Sequence, residues 1–297
     1  MHKWIMIIVL ASILLVSCGT GDRDETKANW RTGTQAIEMS FLQGTPPTVL
    51  YDGDVFDIAV EIWNRGASPL VGDLYLTGFD DSIFSGITKR PLPISVEQHK
   101  TKYNTEGGYQ LIRESGRILM PEGSDTFSTT IKAVACYFYE TMSDVQVCVD
   151  PEPNKRDLSS DACQVRDVSV SGGQAAPVAV TNVKVESTPQ KTIFRITIKN
   201  VGKGTVLDQA VVDECLDSDV VFADTNWIDL DSVRLGLDDF LQCEPPNPVK
   251  MSGGTATVAC TADRIVGTSA YSSVLTVVLT YGYREDIEQK VQLRSTI

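Results

Sequence analysis

Two stretches of this chain carry the same strand pattern, and that repeat limits the possible folds more than any other feature. From Ile58 to Gly66 and from Phe194 to Gly202, apolar residues alternate with polar ones, and each run ends in Asn-x-Gly. Further along, Tyr137-Phe-Tyr139 lines up with Tyr281-Gly-Tyr283. A period of two is typical of half-buried antiparallel strands, and Asn-x-Gly is typical of a tight turn. The repeat therefore predicts two copies of one β-structure.

The rest of the chain has the same character, because short alternating runs recur between turn signals. Apolar residues make up 42% of the 297 residues, which is enough for real cores. We therefore predict an all-β fold with two tandem antiparallel β-sandwiches. The first is expected over residues 34–170 and the second over 178–297. Residues 171–177 are small and include Gly and Pro, which predicts a hinge between the sandwiches.

A strand that ends in Asn-x-Gly resembles the CARDB-type immunoglobulin-like domains found in tandem on archaeal and bacterial surface proteins. The resemblance extends over most of residues 34–297, once in each half, and its motif is short. It implies immunoglobulin-like sandwiches and a role in adhesion, display or spacing, with no catalytic residues shared by the family. The segment from Lys89 to Gly116 departs from the family pattern. We expect any individual binding function to lie there.

The N-terminus has the layout of an export signal. A basic start is followed by an unbroken apolar run from Trp4 to Val16, which is shorter than the roughly twenty residues that a membrane-spanning helix needs. Leu15-Val16-Ser17-Cys18 resembles the lipobox of prokaryotic lipoproteins. We therefore predict a helical signal peptide over 1–17, a lipid on Cys18 and a flexible tether over 18–33. The alternatives are an ordinary signal cleaved nearby and an uncleaved anchor, and both keep the protein outside the cytoplasm.

Six cysteines follow the signal, an even number that predicts disulfides in an exported chain. Two local pairs each close a loop rich in turn residues, Cys148 with Cys163 and Cys243 with Cys260. Cys136 and Cys215 remain, either as a bridge between the halves or as buried free thiols. A zinc site is disfavoured, because no close Cys-x-x-Cys pair exists.

Charge limits the possible ligands. The formal net charge is −13, so nucleic acid is not an expected partner, because phosphate binding needs a basic face. No cofactor is expected except calcium, which hard oxygen ligands could hold where acidic residues crowd one stretch. The acidic residues chosen as its candidate ligands are Asp213, Asp217, Asp219 and Asp224. The alternative for this stretch is a set of turn aspartates that bond their own backbone.

Catalytic patterns are few. A Ser-His-Asp or Cys-His site would have to use His99, in a polar stretch, and the adjacent acidic pairs Asp80-Asp81 and Asp238-Asp239 are typical of surfaces. Trp30, Trp63 and Trp227 are candidate sugar contacts, with core packing as the alternative. We therefore expect a non-catalytic, lipid-anchored protein of the cell envelope that binds or presents an envelope protein or glycan. The competing hypothesis is an extracytoplasmic enzyme, or an accessory subunit of a transporter or hydrolase.

Overall fold

Antiparallel strands account for nearly all of the regular structure in the computed structural model, which describes residues 30–154, 162–217, 223–237, 239–263 and 269–296. The all-β prediction is confirmed. The strands of the first half are β1 (Ile37–Phe41), β2 (Val49–Tyr51), β3 (Val55–Asn64), β4 (Leu70–Thr77), β5 (Phe84–Ser85), β6 (Leu92–Val96), β7 (Gly108–Ile118) and β8 (Thr126–Val149).

The second half repeats this plan, with a 3-10 helix (Gln209–Glu214) inserted after the strand Thr205–Leu207. Its strands are β9 (Val168–Ser169), β10 (Val178–Ser187), β11 (Thr192–Asn200), β12 (Thr205–Leu207), β13 (Trp227–Leu235), β14 (Asp239–Phe240), β15 (Gln242–Glu244), β16 (Val249–Lys250), β17 (Thr255–Ala262) and β18 (Tyr271–Arg294). In the described part of the chain, no helix is long and apolar enough to cross a membrane.

Three sheets form the body of the molecule. The first outer sheet has the strand order β1-β3-β7-β5, and the second outer sheet has the order β15-β17-β11-β10-β9. The third sheet takes strands from both halves in the order β14-β13-β18-β8-β4-β6, and we call it the shared sheet. The inward side chains of all three sheets pack into one hydrophobic cluster. The two halves therefore share one sheet and one hydrophobic cluster.

The joint is the pairing of the two longest strands. Strands β8 and β18 run antiparallel along their full 24 residues, from Tyr271 opposite Val149 to Arg294 opposite Thr126. Phe138 lies opposite Gly282 in this register, and these are also the two residues that the sequence repeat aligns. An approximate two-fold axis that relates the two halves therefore passes between Phe138 and Gly282.

The repeated Asn-x-Gly turn has the same hydrogen bonds in both halves. In the first half, the Asn64 amide donates to the Ser68 carbonyl (2.9 Å), and the Ser68 N–H donates to the Tyr139 hydroxyl (3.2 Å). In the second, the Asn200 amide donates to the Gly204 carbonyl (3.0 Å), and the Gly204 N–H donates to the Tyr283 hydroxyl (3.0 Å).

A glycine is required in each of these turns. The tyrosine hydroxyl fills the space that a Cβ would occupy at Gly66 or Gly202. The residues shared by the two repeats are therefore those whose hydrogen bonds and close contacts hold each turn against the shared sheet.

Most of the connection at 171–177 is packed inside the molecule: residues 174–177 are buried, while Ser171 and Gly172 are exposed. Its role as a hinge stays a prediction. Ala175 and Ala176 are buried, and the Ala175 carbonyl accepts from the Ala67 N–H (3.0 Å). The Gly33 N–H donates to the Gly172 carbonyl (2.7 Å), so a segment of the first half also packs against this connection. Small residues fit here because two chain segments pass close together at Gly33 and Gly173.

Three disulfides fasten the fold. Cys148 is bonded to Cys163 and Cys243 to Cys260, as the loop spacing predicts. The third joins Cys136 of β8 to Cys215 just after the 3-10 helix, so of the two alternatives for this pair the bridge between the halves is the one present. With Val134, Leu207 and Val212, this disulfide forms a small second core on the outer face of the shared sheet. Three disulfides indicate an oxidising compartment outside the cytoplasm.

Candidate binding surface

The outer face of the first outer sheet carries an aromatic pair. Trp63 of β3 lies directly opposite Tyr109 of β7, and their ring centroids are 4.7 Å apart. Both side chains point away from the core, since Ile62 and Asn64 on either side of Trp63 are buried. Tyr109 is 45% exposed, and its hydroxyl donates to Glu61 (3.2 Å).

Charged groups hold this pair in place. The Arg65 guanidinium lies over the Trp63 ring, 4.6 Å from its centroid. It donates to Glu38 (2.6 Å) and to Glu106 (3.0 Å), and the hydrogen bond with Glu38 is the main cause of its raised pKa. We call the residues of this cluster the Trp63 surface: Glu38, Glu61, Trp63, Arg65, Glu106 and Tyr109.

The second half has no counterpart of this surface. The approximate two-fold axis places Lys199 where Trp63 lies and Val201 where Arg65 lies. Lys199 pairs with Ala179 on one side and with Thr255 on the other. Ala179 therefore takes the position of Glu38, and Thr255 takes that of Tyr109. The turn residues are alike in both halves, but the surface beside them is not. Tryptophan, tyrosine and arginine supply much of the binding energy in protein interfaces, so the Trp63 surface is the candidate binding surface of the described residues.

A second feature is a cleft of about 430 Å³ between β1 and β18. Glu285 lines it, and one oxygen of its carboxylate accepts from the Tyr137 hydroxyl (3.1 Å). Burial raises the pKa of Glu285, while the Tyr137 hydrogen bond and the charge of Lys203 act in the opposite direction. The positions related by the two-fold axis are Thr141 and Tyr281, whose hydroxyls lie 2.8 Å apart in a closed interior.

The predicted calcium ligands are not gathered into a site. Asp219 lies outside the described residues. Asp213 is in the 3-10 helix, where its carbonyl accepts from the Tyr75 hydroxyl (3.1 Å), and the Asp224 carbonyl accepts from the Asp208 N–H (2.8 Å). Together with Asp217, these residues do not form a group of three metal-binding side chains within the described ranges.

The remaining candidates have local partners. The Nδ1 atom of His99 is 3.0 Å from the carbonyl of Glu97, two residues away. Asp80 accepts from the N–H and hydroxyl of Ser82, and Asp81 pairs with Lys89. Asp238 and the lipidation candidate Cys18 lie outside the described residues.

The other two tryptophans are also stacked against cations and are only partly buried. A neighbouring guanidinium lies 4.7 Å from the Trp30 ring centroid, and the Lys250 ammonium lies 4.5 Å from that of Trp227. The core contains tyrosines and phenylalanines instead. Trp30, Trp63 and Trp227 are all half-buried, and none of them belongs to the hydrophobic core cluster.

Sequence reasoning missed most of the Trp63 surface. It considered Trp63 and placed a binding function in the segment from Lys89 to Gly116, which contains Glu106 and Tyr109. It did not connect the two, because the pairing of β3 with β7 is long-range. The available signal was the contrast between Trp-Asn-Arg-Gly in the first turn and Lys-Asn-Val-Gly in the second.

Comparisons with known proteins add little. No protein-family model matches this chain, and no curated protein matches it. Among solved structures, the chain is similar to a protein named pT26-6p at 8% sequence identity, over 92% of this chain and 68% of that one. The TM-score of 0.19 is too low for this likeness to support an argument about fold or function.

Proposed function

We propose that this protein is a non-catalytic binding protein of the cell envelope, anchored by a lipid on Cys18, that presents the Trp63 surface to an envelope protein or glycan. The observation that carries the proposal is the asymmetry between the halves. The structural residues of the turn are repeated, while the aromatic and charged residues beside it are replaced at the related positions of the second half by Lys199, Ala179 and Thr255.

The architecture supports presentation of a fixed surface. The shared sheet, the packed connection at 171–177 and the disulfide between Cys136 and Cys215 join the halves into one unit. A rigid body loses little conformational entropy when it binds, because its surface is already ordered. The Arg65 contacts with Glu38 and Glu106 order the surface further.

In-cell photo-crosslinking tests the proposal. A photoreactive phenylalanine replaces Leu111, which lies beside Tyr109 on the outer face, and the matched control replaces Thr257, its counterpart in the second half. We expect one reproducible adduct from position 111, lost when Trp63→Ala is added, and none above background from position 257. Equal labelling at both positions would contradict the proposal. The same cells report on the anchor, because Cys18→Ser should move the protein from the membrane fraction to the soluble one.

A further inference from the structure

Each sandwich has a side where one edge of its outer sheet faces one edge of the shared sheet. In the second half these edges are β10 and the end of β8 after Phe138, where β4 stops pairing; we call this side the second mouth. In the first half they are β1 and the end of β18, and we call this side the first mouth. The two-fold axis relates the two mouths, so they can be compared directly.

The chain fills the second mouth with its own residues. Ser169 and Val168 of β9 pair with Asn182 and Val183 of β10, and Cys163 is bonded to Cys148 at the end of β8. The apolar residues of this segment pack on the core, and they are Val165, Val168 and Val170. An extended segment with spaced apolar residues therefore closes the second sandwich.

The first mouth has no such strand in the described part of the chain. Strand β12 pairs with β18 at residues 282–284, and β2 pairs with it at 292–294. The edge between them, residues 285–291, is long enough for a strand of about five residues. On this edge, the Gln292 N–H donates to the Thr48 carbonyl and the Arg294 carbonyl accepts from the Asp52 N–H.

These two hydrogen bonds show that the backbone N–H and C=O groups of the even-numbered residues of β18 point towards this edge. The pairing of β18 with β8 has no register shift, so every second residue of β18 presents its N–H and C=O to the same edge. The backbone donors and acceptors of Asp286, Glu288 and Lys290 therefore face the first mouth. They form the ladder that an added strand needs.

The cleft between β1 and β18 lies at one end of this edge. In the second mouth, the Thr141 hydroxyl donates to the Val178 carbonyl (2.8 Å) and draws β10 onto β8. Glu285 takes the place of Thr141 in the first mouth, bonds to Tyr137, and lines the open cleft of about 430 Å³. A carboxylate in this position keeps the first mouth accessible to a polar partner.

We propose that the first mouth binds an extended peptide segment of a partner protein, which adds to β18 between β12 and β2 and completes the first sandwich. Backbone hydrogen bonds to the edge supply affinity, and alternate side chains supply specificity. The expected segment has spaced apolar residues, like Val165 to Val170. It also carries lysine or arginine, because the carboxylates of Glu285 and Asp286 line the cleft. Of the two basic residues that line it, Lys203 and Arg284, Arg284 already donates to the Cys215 carbonyl. This proposal rests on the backbone edge of β18 and not on the Trp63 surface, although Glu38 of that surface also lines the cleft.

The test uses random twelve-residue peptides displayed on phage and selected against the exported protein. Glu288→Pro removes a backbone donor that faces the first mouth, and Glu288→Ala is the matched control, since both variants lose the contact with Lys132 (3.6 Å). We expect enriched peptides with alternating apolar and basic residues. They should bind the alanine variant like the unaltered protein and the proline variant at least about tenfold more weakly.

A measurement on the peptide covers the case in which the proline variant does not fold. N-methylation at successive positions of an enriched peptide should weaken binding at every second residue only. Failure to enrich any peptide, equal binding to the proline and alanine variants, or no alternation in the N-methyl series would overturn the proposal. Sedimentation of the protein alone tests a different occupant. If the protein self-associates and Glu288→Pro abolishes this association, a second copy of the chain occupies the first mouth, and the proposal of a partner peptide is overturned.

Discussion

At the scale of residues, four buried tyrosines meet at the approximate two-fold axis. The rings of Tyr137, Tyr139, Tyr281 and Tyr283 lie with neighbouring centroids 5.8 to 6.3 Å apart. Each hydroxyl has a hydrogen-bond partner, so burial of these polar groups is compensated. The partner of Tyr137 is the ionisable side chain of Glu285, and burial raises the pKa of this carboxyl.

Replacing Glu285 by Gln should stabilise the protein at neutral pH. Burial raises the pKa of Glu285 in the folded state, so stability falls as pH rises from the ordinary glutamate pKa of about 4.3 through the folded-state value. Glutamine keeps an acceptor for Tyr137 and does not titrate. Lys203 offsets part of the cost of the charge and Asp286 adds to it.

The measurement is the unfolding midpoint in urea at several pH values. The advantage of Glu285→Gln should be small at pH 4 and should grow with rising pH. Glu97→Gln, at an exposed position, serves as the control and should show no such growth. If the difference in unfolding midpoint between Glu285→Gln and the unaltered protein stayed constant as the pH rises from 4, the raised pKa assigned to Glu285 would be contradicted.

At the scale of elements, the two strands that meet at the axis differ at their centre. Phe138 is 38% exposed on the outer face, whereas its counterpart Gly282 lies under the 3-10 helix. A Cβ at position 282 would collide with Val212 and approach the Asp208 carbonyl. Glycine is therefore present so that the inserted helix can pack on the sheet.

Gly282→Ala should destabilise the protein by about 1 to 3 kcal/mol, because an added methyl overpacks this contact. Val212 supplies the nearest atom, so Val212→Ala should relieve part of the clash. In urea unfolding, the double variant should be less destabilised than the sum of the two single variants. Simple additivity would mean that the helix does not pack on Gly282 as the structure has it.

Sequence patterns predicted the class of these elements better than their arrangement. The alternation from Ile58 and from Phe194 identified strands, and Asn-x-Gly identified their turns, because both signals are local. The pairing of β8 with β18 joins residues that are far apart in the chain, and alternation alone does not specify which strand a strand pairs with. For the same reason, Trp63 was recognised as a candidate while Tyr109 and Glu38, which pairing brings beside it, were not.

At the scale of the whole molecule, the two halves should unfold as one unit. Replacing Cys136 and Cys215 by alanine removes a cross-link between residues separated by 79 positions, which should cost about 4.5 kcal/mol in the free energy of unfolding. Removing Cys243 and Cys260, separated by 17 residues, should cost about 3 kcal/mol and serves as the comparison.

Both variants should still show a single transition in urea, monitored by far-ultraviolet circular dichroism and by tryptophan fluorescence. The shared sheet couples the halves even without the disulfide, since β8 and β18 pair along 24 residues. Two separate transitions in the variant without Cys136 and Cys215 would show that the halves are independent domains.

The approximate two-fold axis has a further meaning, because this chain has the layout of a symmetric homodimer whose two subunits are linked end to end. In a true homodimer every substitution appears twice, and a residue on the axis meets its own copy. Linking the subunits removes that restriction. Phe138 can face Gly282, one side can accept a helix that the other lacks, and one side can acquire a tryptophan and an arginine without a second, unused pair across the molecule. Linking the halves in one chain thus lets them share one sheet while their outer surfaces differ.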